Sequence, residues 1–371
     1  MMKALTDKKW KAFYISDEKE NGIFKLRSSL SGIDKNKLLE SNDKETPYIT
    51  RSDFNNGVAL FVGKEQREKF KIDKGNVITI GLDTQTVFYQ PHSFYTGQNV
   101  QVLYNEHLNK YTAKFIIPLL KKQVSKLSWG GNGATLGRLK RMQLLLPIDQ
   151  NNMPDYEFME AYIKEKEKIK REEYLDYCQK QLKIIGGGYN LIPLKDKQWK
   201  SFFIGDIFDY FAPGKSKGLN HLEEDKTFGK SYIGATNRNN GVLSFVRADE
   251  KLLQKGNAVG FIKNGNGSAG YAIYKYESFI STSDVIFAYS GWLNRYIGLF
   301  ITTCSDMSQE KYSHGYKWTK ERLLRSGIML PVNECGTPDY EYMEQYSKNL
   351  LYKKLQSYIN FVTNQIDIVV T

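Results

Sequence analysis

The feature that most constrains this 371-residue chain is that it runs through one series of sequence blocks twice. Trp10-Lys-Ala-Phe answers to Trp199-Lys-Ser-Phe, PYITRSDFNNGVALFV (47–62) to SYIGATNRNNGVLSFV (231–246), and KGNVITIGL (74–82) to KGNAVGFIK (255–263). LNKYTAKFII (108–117) matches LNRYIGLFIT (293–302), and RLKRMQLLLPI (138–148) matches RLLRSGIMLPV (322–332). MPDYEFMEAYIK (153–164) matches TPDYEYMEQYSK (337–348). The two Asn-Asn-Gly copies, at 55–57 and 239–241, stand 184 residues apart, as do Pro154 and Pro338. Trp10 and Trp199 differ by 189 and Lys74 and Lys255 by 181, so insertions fall between matched blocks. This is a tandem duplication, and its length suits two domains that each bury a core.

Each copy has two parts. The first, of about 140 residues, sets short apolar runs between turn signals such as NNGV, KGN and NGNG, which predicts mostly strands with a few short helices. Residues 108–123 and their counterpart LNRYIGLFITT are the expected internal helices. The second part begins at Pro154-Asp155 and Pro338-Asp339, where an acidic residue suits the positive end of a helix. Glycine-free tracts follow, at about 155–185 and 339–370. Leu175, Cys178, Leu182 and Ile185 step by three and four, as do Leu355, Ile359, Val362, Ile366 and Val369, the spacing of a coiled-coil seam. Some 30 residues at ~1.5 Å each make a rod of roughly 45 Å. Gly186-Gly187-Gly188 ends the first rod. The expected boundaries are 1–150, a helix over 151–186, a second domain over 187–335 and a second helix over 336–371.

Charge is unevenly placed. The formal net charge is +12, yet tracts 154–185 and 339–371 each carry −1, which leaves +14 on the globular parts. An excess of cations suits a polyanion, since each neutralised phosphate releases counterions. The chain has no apolar run near ~20 residues and no apolar signal core behind MMKALTDKKW, so membrane and secreted classes are not expected. Cys178, Cys304 and Cys335 are scattered, which fits a reducing cytoplasm better than a disulfide framework.

Catalytic signatures are absent. Gly265-Asn-Gly267-Ser-Ala-Gly270 spells GxGxxG, but it lies between two strand-like runs, where a dinucleotide site opens a helix; a hairpin loop is the better reading. There is no GxxxxGK[ST], and no Asn/Asp-Pro-Pro-Tyr/Phe of the kind an adenine methyltransferase needs. His92, His107, His221 and His314 are mutually remote. Neither a catalytic residue nor a resident metal or cofactor is expected.

A globular domain plus a long helix, written twice, resembles the specificity subunits of type I restriction–modification systems and of related type IIB systems. The marks are the W-K-x-F opening, the P/S-Y-I and NNGV pair, the L-P-x block, and P-D-Y-E-F/Y-M-E at the helix start. The resemblance implies an α+β fold of two mixed α/β target-recognition domains, their long helices paired as an antiparallel coiled coil. It implies that each domain reads half of a bipartite double-stranded DNA site and that the helices set the spacing. Partner methyltransferase subunits, two in number, would carry S-adenosylmethionine and methylate adenine N6. A restriction/translocase partner would bring ATP and Mg. The copies differ most at 81–98 against 263–281 and at 124–137 against 308–321, which predicts unlike half-sites.

Base edges are read by Arg, Lys, Asn and Gln, while cations hold phosphates. The candidates are Arg51, Asn55 and Asn56 with the counterparts Arg238, Asn239 and Asn240, in a strand-linking turn; Asn-Asn-Gly also suits a plain left-handed turn. Trp129, Asn132, Arg138, Lys140 and Arg141 mix cations with an aromatic ring in one glycine loop. His314, Lys317, Lys320 and Arg322 are their equivalents. Tyr95, Thr96 and Gln98 in one copy and Lys263, Asn264 and Asn266 in the other rest on their place in variable polar loops. Two other classes remain open: a two-domain structural or carbohydrate-binding protein, and a fragment of a fused nuclease–methyltransferase.

Overall fold

A computed structural model describes residues 4–128, 131–216, 218–265, 267–312 and 317–370. The chain divides into two compact units, Met1–Tyr174 and Leu175–Thr371. In the first, the strands are β1 (Trp10–Ser16), β2 (Gly22–Ser28), β3 (Thr46–Ile49), β4 (Val58–Val62), β5 (Val77–Gly81), β6 (Val87–Gln90), β7 (Tyr95–Thr96) and β8 (Val100–Tyr104). Helices α1 (Lys110–Val124) and α2 (Leu136–Leu139), strand β9 (Gln143–Pro147) and the long helix α3 (Tyr156–Ile185) follow. The strands form a six-stranded sheet, β6-β5-β8-β2-β1-β9, and a three-stranded one, β4-β3-β7. In β5 every residue is buried, as expected of a central strand covered on both faces.

The second unit repeats the plan with one break. It runs β10 (Trp199–Phe203), α4 (Ile204–Ile207), β11 (Tyr210–Pro213), β12 (Lys230–Ile233), β13 (Val242–Val246), β14 (Ala258–Ile262), β15 (Ala272–Lys275), β16 (Phe279–Ser281) and β17 (Val285–Tyr289). Then come α5 (Arg295–Asp306), α6 (Lys320–Leu324), β18 (Gly327–Pro331) and α7 (Tyr340–Val370). The large sheet is here two sheets, β11-β17-β14-β15 and β10-β18. The link after β10 coils into the single turn α4, whereas β1 and β2 pair directly, Tyr14 opposite Gly22. GxGxxG falls between β14 and β15, which pair antiparallel: a hairpin, as expected.

The same bonds fasten both units. Asn109 and Asn294 cap α1 and α5, each carbonyl oxygen accepting from two backbone amides of the first turn. Their side-chain amides donate onward to Glu160 (2.7 Å) and Glu344 (2.9 Å) on the long helices. Asp155 and Asp339 cap those helices by accepting from Phe158 and Tyr342, and pair with Lys8 and Lys197. Trp10 stacks on Phe115 and donates to the Leu5 carbonyl; Trp199 stacks on Phe300 and donates to the Leu194 carbonyl. The main cores lie under these helices, around Phe13, Ile78, Ile116 and Met159 in one unit and Val259, Phe261, Ile301 and Met343 in the other. Within the second unit, Cys178 and Ile185 of α3 are buried against Leu355, with Leu182, Leu351 and Ile359 around them.

Candidate nucleic-acid interface

Both Asn-Asn-Gly turns are rigid devices. Asn55 and Asn56 have φ of 48° and 56°, and Asn239 and Asn240 have 49° and 50°, the left-handed region that asparagine tolerates better than most residues. The Asn56 side chain donates to the Tyr89 carbonyl, and that of Asn240 to the Tyr274 carbonyl, both at 2.8 Å. Gly241 has φ of 78°, and a Cβ there would also crowd the end of the Ile273 side chain at 2.6 Å, so the turn favours glycine. Asn56 and Asn240 are therefore turn fasteners. Asn55 and Asn239 remain at the exposed tip.

A second shared device closes the loop after α1 and α5. The amide of Ala134 donates to the Leu82 carbonyl, and that of Trp318 to the Lys263 carbonyl, the same lock on the ends of β5 and β14. The Arg138 guanidinium donates back to the carbonyls of Gly133 and Gly131, and Arg322 to that of Lys317. These two arginines stand 184 apart and shape the loop they follow.

On this common frame the surfaces differ. In the second unit Lys263, Asn264, Lys317 and Lys320 converge, with Asp284, Thr319 and Glu321, on a cleft of about 450 Å³. Asn264 is steered by Asp284, to which its amide donates at 3.3 Å. The matching positions of the first unit are Leu82, Asp83, Gly133 and Leu136, and Asp83 there holds Arg51 in an ion pair. A lysine-lined cleft can grip backbone phosphates while a neighbouring amide meets a base edge.

The model of the type I restriction modification DNA specificity domain matches residues 18–175 and again 196–360. The chain belongs to this DNA-specificity family. It is 32% identical over 344 residues to the type II restriction enzyme BgcI specificity subunit S.BcgI of Heyndrickxia coagulans, covering 91% of this chain and 93% of that one. Its fold is similar to that of the type I restriction–modification S subunit from M. genitalium. There the TM-score is 0.51 at 16% identity, over 99% of this chain and 96% of the other.

Several expected contacts of this specificity protein need correction. Arg51 and Arg238 are not counterparts: at the offset of 184, Arg51 matches Ala235 and Arg238 matches Phe54. Arg51 is also engaged by Asp83, a partner 32 residues away that no local pattern signals. Tyr95 and Thr96 are not on a loop but form β7; Tyr95 is 4% exposed and its hydroxyl donates to the Lys64 carbonyl. Gln98 is exposed beside them and donates to Asp34. Lys140 pairs with Glu18 at 2.6 Å, whereas Asn132 and Arg141 are exposed. Trp129, Asn266 and His314 lie outside the described residues. Among the described residues no group of three His, Cys, Asp or Glu is placed to hold a metal ion, and no helix is long and apolar enough to cross a membrane.

The sequence reading missed Phe54. It stands 63% exposed beside the first Asn-Asn-Gly turn, where the second unit has Arg238. Counting back from the two Asn-Asn-Gly copies finds it, since both sites precede Asn55 and Asn239 by one.

Proposed function

We propose that this chain is the DNA-reading subunit of a restriction–modification complex, with one half-site for each unit. The observation that carries this reading is one scaffold built twice, with the same internal fasteners, under unlike polar edges. A protein that bound one ligand twice would keep its edges alike. Here one edge gathers three lysines about an amide and the other closes an aspartate on an arginine.

In this reading the chemistry resides on partners: methyltransferase subunits with S-adenosylmethionine and, where a nuclease/translocase subunit joins, ATP and Mg. The long helices α3 and α7 pair as an antiparallel coiled coil and set the gap between half-sites. The burial of Cys178, Leu182 and Ile185 against Leu351, Leu355 and Ile359 supports that pairing.

The test is to purify the chain with its methyltransferase partners and measure duplex binding from low to high salt, together with the methylation motif. A bipartite, asymmetric motif and affinity that falls steeply with salt are expected. Methyl transfer by the chain alone, or affinity indifferent to salt, would overturn the reading. Deleting one heptad from both long helices should shorten the preferred gap.

A further inference from the structure

Phe54 and Arg238 sit on the same tip. In each unit the residue at this place donates its amide to a hydroxyl two residues earlier, Phe54 to Ser52 (3.2 Å) and Arg238 to Thr236 (3.2 Å). In each, the two following asparagines are left-handed and the glycine after them is buried. The loop neck is closed by Thr50 donating to the Gly57 carbonyl at 2.8 Å and by Gly234 donating to that of Gly241 at 2.9 Å. Together with the Asn56 and Asn240 anchors, these bonds fix the backbone on both sides of one position. Ser52 and Thr236 keep the hydroxyl, and Asn-Asn-Gly keeps the turn; between these kept positions the tip side chain changes from an aromatic ring to a guanidinium.

The Phe54 ring stands 63% exposed on a turn whose backbone is tied on both sides. The position itself is built to meet something. In a chain of a DNA-specificity family, arginine and phenylalanine can both be used at the groove edge of a base pair. There a guanidinium takes guanine O6 and N7, and an apolar side chain takes the thymine methyl group. We infer that position 54/238 is a specificity-determining position in each unit, Arg238 selecting a guanine in one half-site and Phe54 a thymine in the other. This deepens the function proposed above and rests on it.

The experiment uses the full chain with its methyltransferase partners and a duplex library randomised across the motif. Arg238→Ala should relax one guanine of one half-site and leave the other half-site unchanged. Phe54→Ala should relax one thymine–adenine pair in the opposite half. Loss of the bidentate Arg238 contact should cost about 5- to 150-fold in discrimination at its pair, and loss of the apolar Phe54 contact should cost less. Phe54→Arg should move the preference at its pair towards guanine, a gain that misfolding cannot imitate. Unchanged preferences at every pair in all three variants would overturn the inference while leaving the proposed function intact. Loss of partner co-purification with an unaltered motif would also overturn it, by making the tip a protein contact. A wild-type complex with no bipartite motif would remove both.

Discussion

In the first unit the end of β5 carries Leu82 and Asp83, and the aspartate is occupied by Arg51. In the second unit the same place carries Lys263 and Asn264, and two more lysines join them, Lys317 from the returning loop and Lys320 from the start of α6. The backbone beneath is the same, down to the amide that the returning loop donates to residue 82 or 263. Duplication thus separates two kinds of residue within one chain. What both copies keep (the capping asparagines, the Asp–Lys pairs at the long helices, the buried glycines) holds the fold. What they do not keep includes the polar edge at 82–83 against 263–264, and also a buried place, Ala134 against Trp318.

The comparison can be broken hardest at the returning loop. Trp318 is 1% exposed and donates to Ser326, while its equivalent is the small buried Ala134. Trp318→Ala should therefore cost the second unit about 3–5 kcal/mol. Urea unfolding followed by a probe in each unit should move only the second transition. Equal shifts in both would mean that the units do not stand independently.

A smaller and symmetric effect is expected at the shared fasteners. Asp155→Ala and Asp339→Ala each remove a helix cap and strand a half-buried lysine, and should cost about 1–2 kcal/mol apiece. Thermal melts of the two single variants should match within experimental scatter. A large inequality would show that the copies do not rely on the same bond.

The unlike edges predict an asymmetric salt response. Changing Lys263, Lys317 and Lys320 together to Ala should flatten the slope of log affinity against log salt by up to about 2.7, at ~0.9 per phosphate contact. Thermal stability should hold. The smallest effect belongs to Arg51→Ala, which opens a partly exposed pair and should cost no more than about 1 kcal/mol. A larger loss would make Arg51 a structural anchor.

Much of this was legible in the sequence because its signals are local. The Asp before each long helix, the left-handed Asn-Asn-Gly turns and the hairpin around Gly265–Gly270 depend on residues within a few positions of each other. The contacts that went unread join distant segments. Arg51 finds Asp83, Lys140 finds Glu18, and Tyr95 is buried by a parallel pairing of only two residues with β3. Arg138 and Arg322 sit among other cations and look like surface charges, yet their guanidinium groups turn inward to loop carbonyls. The split of the second unit's sheet had no signal in the length of the link, which is six residues at 204–209 against five at 17–21.

The pairing of β1 with β9 joins Trp10 to Pro147, across nearly the whole first repeat. At 5–20 residues per second, a ribosome needs roughly 7–27 s to deliver the second strand after the first. Until then β1 has a bare edge, and β18, which meets β10 in the same way, would fit it almost as well. Synthesis from the N-terminus removes that rival, because β9 arrives long before β18 exists. A denatured chain has no such order: both copies are offered at once, and swapped pairings compete from the first moment of refolding.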